Sequence, residues 1–174
     1  MKKIFLLFTA AALSAGMVFA QDINQATENY NNGAMELNMG NNDAAITYFQ
    51  TALEMAEALG EEGAEVAANC RNIIPAIYLS SAKEQIKAEN YDAAVEQLNK
   101  AIEAAGKYEN TDVADDANAL MPQVYLSKGN GFLQAKNFPE AEVAYQKAIE
   151  LDPANGMAYF RLGQVLASQN KVAE

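Results

Sequence analysis

Pro75-Ala76-Ile77-Tyr78-Leu79-Ser80 returns as Pro122-Gln123-Val124-Tyr125-Leu126-Ser127, 47 residues further along the chain. Around it, residues 75–103 and 122–150 are identical at 11 of 29 positions without a gap. Average residue frequencies give about two or three by chance. A fixed period of this size belongs to stacked supersecondary units, none of which can bury its apolar face alone. Arrays of that kind mostly hold partners on an extended surface, so the repeat bears on function as well as fold.

The units read as helices. Ala45, Phe49, Ala52 and Leu53 share one helical face, as do Ala94, Leu98, Ala101 and Ile102, and then Ala141, Tyr145, Ala148 and Ile149. A polar turn precedes each set: Gly40-Asn41-Asn42-Asp43, Glu89-Asn90-Tyr91-Asp92 and Lys136-Asn137-Phe138-Pro139. Each turn reads as one helix stopping and the next beginning, with Asp43 and Asp92 expected as caps and Pro139 in a first turn. No window sustains the alternation of a strand, so the expected class is all-α.

The alanines have a packing reason. Two helices approach to about 8–10 Å only where small side chains meet at the crossing. Ala45, Ala94 and Ala141 supply the gap on one helix of each pair. Gly33, Ala82 and Gly129 supply it on the other, twelve positions earlier each time. Phe49, Leu98 and Tyr145 then fill the space beside the crossing. Small and large recurring together is a more specific signal than either alone.

These residues resemble the tetratricopeptide repeat family, whose unit is a helix–turn–helix of about 34 residues. The third copy matches best, at Tyr125, Gly129, Phe132, Phe138, Ala141, Tyr145, Ala148 and Pro153. The second matches at Tyr78, Ala82, Tyr91, Ala94 and Ala101, with Leu98 in place of the aromatic and no closing proline. The first matches at Gly33, Gly40, Ala45, Phe49 and Ala52, with departures at Asn29 and Asn32. A fourth begins with Tyr159, Leu162 and Gly163. The resemblance implies a right-handed α-solenoid of antiparallel helix pairs, with units at about 26–59, 75–108 and 122–155 and a partial one at 156–174.

The spacing departs from that pattern. Ala52, Ala101 and Ala148 lie 49 and 47 residues apart. Gly60-Glu61-Glu62-Gly63 and the stretch 107–111 look like loops, while 64–74 and 113–121 look helical. The first helix of units two and three is therefore expected to extend backwards, to roughly 36 Å at 1.5 Å per residue. Pro75 and Pro122 would then lie inside helices and bend them, since proline removes one hydrogen bond. A break just before each proline is the alternative. At the far end, Lys171-Val172-Ala173-Glu174 reaches the turn of unit four. Either the chain is a piece of a longer protein, or 159–168 serves as the polar cap that arrays need.

Met1-Lys2-Lys3, the apolar run 4–13 and Val18-Phe19-Ala20 read as a signal peptide of bacterial style over 1–20, cleaved before Gln21. The mature chain, 21–174, is then expected to be periplasmic or secreted. An uncleaved membrane anchor is the competing reading, opposed by the shortness of the apolar run. The formal net charge is −11, and removing Lys2 and Lys3 makes the chain more acidic still. That argues against nucleic acid and anionic membranes as partners. The acid also keeps an alanine-rich array in solution. Cys70 is the single cysteine and sits in an apolar helical pattern, as a small buried side chain would.

No catalytic constellation emerges. The chain has no histidine, Cys70 has no base partner, and Ser80, Ser81 and Ser127 lack a nucleophile context. No cofactor or metal motif is present. Glu109, Asp112, Asp115 and Asp116 are acidic enough for a hard cation but lack the glycine and spacing of a calcium loop. Acidic residues are in any case favoured near a helix start.

The resemblance carries one further implication: the first helices of successive units line a concave groove for a peptide. By position the groove residues are Tyr30, Leu79, Leu126 and Phe160, then Leu37, Ile86 and Leu133, with Lys83, Asn130 and Arg161 as sparse polar groups. Lys83 and Arg161 do not form the basic clamp with which some members hold a carboxylate. The expected function is a non-catalytic protein–protein interaction scaffold of the cell envelope, its groove holding an apolar segment of another protein. Against exposure stands the alternative that the extended first helices fold those residues into helix packing. A structural segment that self-associates, or docks a following domain, is the second functional expectation.

Overall fold

The computed structural model describes residues 22–169, so residues 1–21, with the expected signal peptide, and residues 170–174 lie outside the described part. Seven α-helices follow one another: α1 over 22–38, α2 Asn42–Ala58, α3 Ala64–Lys87, α4 Tyr91–Lys107, α5 Thr111–Gln134, α6 Phe138–Leu151 and α7 Gly156–Ser168. No strand occurs among the described residues. The chain divides between Ile77 and Tyr78 into two compact units.

One turn chemistry recurs between the helices. Gly40, Glu89, Glu109 and Lys136 are left-handed, at φ of 80°, 59°, 58° and 59°. The next residue is an asparagine each time, and its N–H reaches back five residues: Asn41 to the Glu36 carbonyl, Asn90 to Gln85, Asn110 to Ala105 and Asn137 to Phe132, at 2.8–2.9 Å. This is the Schellman closure, which satisfies carbonyls left bare at a helix end. The same asparagine is the N-cap of the following helix. Asp43 and Asp92 therefore do not cap. They fall within the first turn, where the helix dipole favours a carboxylate. Asn41 and Asn90 instead bind side chains of the preceding helix, Glu36 at 2.8 Å and Gln85 at 3.0 Å. Pro139 occupies the start of α6 as expected.

Both first helices extend backwards. α3 and α5 are 24 residues long, with Pro75 and Pro122 inside them. Neither helix breaks before its proline. The carbonyls of Arg71 and Asn118 lose their usual amide donor, because a helical N–H bonds four residues back and proline has none. The stretch 60–63 is a single 3₁₀ turn rather than an open loop. Gly63 is required there: a Cβ on it would lie 2.0 Å from the Ala56 carbonyl oxygen.

In the first unit the ring of Phe49 is fully buried and meets Tyr30 edge-on at 5.3 Å. A Cβ on Gly33 would lie 3.0 Å from that ring. In the second unit a Cβ on Gly129 would come within 2.6 Å of Tyr145. Ala82 and Leu98 share a core there with Ala94, Ala101, Met121 and Val124. Small faces large at each crossing, with glycine against a ring and alanine against leucine.

The backward extension of α5 contributes Ala117 and Met121 to the core that holds Leu79 and Leu98. Lys83 on α3 reaches Asp116 on α5 at 3.5 Å. α6 returns along α5, and α7 along α6, where Gln169 bonds Glu142 at 2.9 Å. No described helix is long and apolar enough to cross a membrane.

Candidate functional site

The expected groove residues fall into different environments. In the first unit Tyr30 packs on Phe49, and Leu37 is half-buried. In the second unit Leu79 is only 6% exposed and belongs to the core, so it offers a partner no surface. The cause is the front half of α5, whose Ala117, Met121 and Val124 share that core. Ile86 packs on the same core. Lys83 is exposed but ion-paired with Asp116.

The remaining candidates come together on α5 and α7. Leu126 and Leu133 lie half-buried against Tyr145 and Val165. Between them on α5, Asn130 accepts a hydrogen bond at 2.9 Å from the Tyr145 hydroxyl through Oδ1. That bond uses only Oδ1 and does not engage the amide N–H donors of the side chain. Burial pushes the Tyr145 hydroxyl pKa up, and the positive charge of Arg161 on α7 opposes that rise. Arg161 is thus an electrostatic neighbour of that hydroxyl. Its Nη1 donates to Gln164 at 3.0 Å, while its Nε is buried without a hydrogen-bond partner. Arg161 forms no ion pair among the described residues, in a chain of net charge −11. Phe160 beside it is 58% exposed, with Met157 and Tyr159 also open. The arrangement offers aliphatic floor, an exposed ring, and donors for carbonyl or carboxylate oxygens.

A second concave region was not anticipated. On another side of α5, Tyr125, Lys128 and Phe132 line a cavity of about 410 Å³ with Pro139, Glu140 and Val143 of α6. It adjoins a second of about 660 Å³ whose wall adds Glu89, Tyr91, Asp92 and Gly131. Lys128 and Phe132 belong to both. A sequence signal existed: Val143 occupies the place where the aligned copy carries Glu96.

No group of three His, Cys, Asp or Glu able to hold a metal occurs among the described residues, the acidic set from Glu109 to Asp116 included. Cys70 is buried, and burial raises its thiol pKa to about 11, far from what a nucleophile needs at neutral pH.

Sequence models of the tetratricopeptide repeat match the chain in consecutive places: one at 29–59 and 75–108, a second at 122–155 and a third at 144–174. No curated protein matches the chain. The matched stretches take in well over half of its length, so the chain belongs to the tetratricopeptide repeat family.

Proposed function

We propose that the chain is a non-catalytic scaffold of the bacterial cell envelope that holds a peptide segment of another protein against α5 and α7. Repeats of this family generally mediate protein–protein interaction. The observation that supports the reading is the Asn130–Tyr145 hydrogen bond, set in the field of Arg161, whose Nε is buried without a partner, with Phe160 exposed on the same helix as Arg161. An apolar segment would lie on Leu126, Leu133 and Phe160, and its backbone carbonyls would take the donors of Asn130 and Arg161. Arg161 is suited to this because its guanidinium keeps its charge and presents several donors in a fixed plane. The envelope assignment rests on the sequence of 1–20.

The test immobilises the chain from Gln21 onward and exposes it to envelope extract. A partner retained by the natural chain and lost with Phe160→Glu, at unchanged melting temperature, supports the reading. Equal retention by both overturns it. Mass spectrometry of the fractionated protein addresses location: a chain starting at Gln21 in the periplasm or medium is expected, and an intact Met1 in the cytoplasm contradicts it.

Exposed Met157, Tyr159 and Phe160 favour one second reading, association with another copy through α7. Light scattering across a concentration series separates the two, because only self-association raises the mass with concentration.

A further inference from the structure

We propose that the cleft between α4, α5 and α6 is a separate docking surface whose occupant is a cationic amphipathic segment of another protein. Tyr125, Lys128 and Phe132 are spaced as one helical stripe, and Leu126, Asn130 and Leu133 as another. At 3.6 residues per turn the two stripes lie roughly 130° apart around α5. A partner on α5 and α7 therefore leaves this cleft free.

The floor is apolar and the rim is acidic. Phe132, Pro139 and Val143 supply the floor, and Val143 is 66% exposed although it is a large aliphatic residue. Lys128 would be the cleft's cation, but it is already engaged: it is ion-paired with Asp92 and sits 5.8 Å from the centre of the Phe132 ring. Glu140 on one side and Glu89 on the other form no ion pair among the described residues. Three carboxylates, Glu89, Asp92 and Glu140, thus line the cleft against the one ammonium of Lys128, and the chain as a whole, at −11, attracts cations. Both volumes fall in the range of ligand-binding clefts, about 300–1,000 Å³. A helix with Leu or Phe on one face and Lys or Arg flanking it meets both demands, seating the apolar face on Val143 and Phe132 and the cations on Glu140 and Glu89. An anionic segment would face uncompensated carboxylates, and a neutral one would leave them unpaired.

The test measures fluorescence anisotropy of labelled helical peptides of about four turns. One has a Leu stripe with Lys flanks, a second has the same stripe with Glu flanks, and a third scrambles the first. The Leu/Lys peptide is expected to bind roughly tenfold more tightly than the Leu/Glu peptide and more tightly than the scrambled one, with affinity falling as salt rises. Val143→Glu, at an exposed position, is expected to abolish binding while helicity and melting stay unchanged. Glu89→Lys with Glu140→Lys is expected to shift preference to the Leu/Glu peptide. Phe160→Glu leaves the affinity as it was, which separates this cleft from the α5–α7 face. Equal affinity for the scrambled and ordered cationic peptides would mean nonspecific attraction to an acidic chain and would overturn the proposal. Retained binding in Val143→Glu, or no binding by the natural chain, overturns it too.

Discussion

Four turns of this chain place one residue in the left-handed region and follow it with an asparagine. Gly40 adopts that region without strain, whereas Glu89, Glu109 and Lys136 carry a Cβ there, at about 1–2 kcal/mol each. The neighbouring asparagines compensate by closing one helix and starting the next with a single residue. Cys70 shows a different residue-level effect. Its thiol is buried and its pKa is raised to about 11 from 9.0, so the folded chain disfavours the thiolate. The unfolded chain loses that proton first, and the contribution of Cys70 is constant below pH 9 and declines as the pH rises towards 11. Denaturant melts of the natural chain and Cys70→Ala should converge over that interval. A thiol reagent at pH 8 should label Cys70 only in denaturant, and rapid labelling of the native chain would contradict its burial.

At the scale of helices, the crossings set the fit. Gly129 faces Tyr145 so closely that any Cβ must displace the ring, whereas the equivalent pair in the preceding copy is Ala82 with Leu98. Gly129→Ala is expected to cost about 1–3 kcal/mol by overpacking, offset in part by the helix preference of alanine. Tyr145→Leu alone should also destabilise, because it empties part of a core and removes the bond to Asn130. The double substitution recreates the pair used one copy earlier, so its cost should be less than the sum. A double-mutant cycle by chemical denaturation reads this directly, and simple additivity would refute the crossing argument.

Repeat arrays distribute stability over neighbouring contacts, so damage in one place need not spread evenly. Gly63 offers a probe at the scale of the whole molecule, since a Cβ there meets backbone at 2.0 Å and nothing flexible can yield. Gly63→Ala is expected to destabilise the first unit by about 1–3 kcal/mol or more. Hydrogen exchange should then quicken over 22–58 much more than over 138–168. Uniform acceleration along the chain would mean that the two compact units open together.

The periodicity of apolar residues and the alternation of small and large ones were enough to establish an all-α chain of helix pairs with crossings at Gly33, Ala82 and Gly129, and to favour long helices through Pro75 and Pro122 over a break before each. All of these depend on contacts between residues a turn or one hairpin apart, which spacing alone encodes. Tertiary packing decided the rest. Leu79 has the same local pattern as Leu126, yet it is buried in a core shared with the front of α5, while Phe160 stays open on α7. The asparagine caps replaced the expected aspartates because the Schellman closure of the preceding helix sets where the next one starts. The bond between Asn130 and Tyr145, and the cleft around Phe132 and Val143, join residues on different helices. A linear pattern records which face a residue is on, but what stands opposite that face depends on how the helices pack.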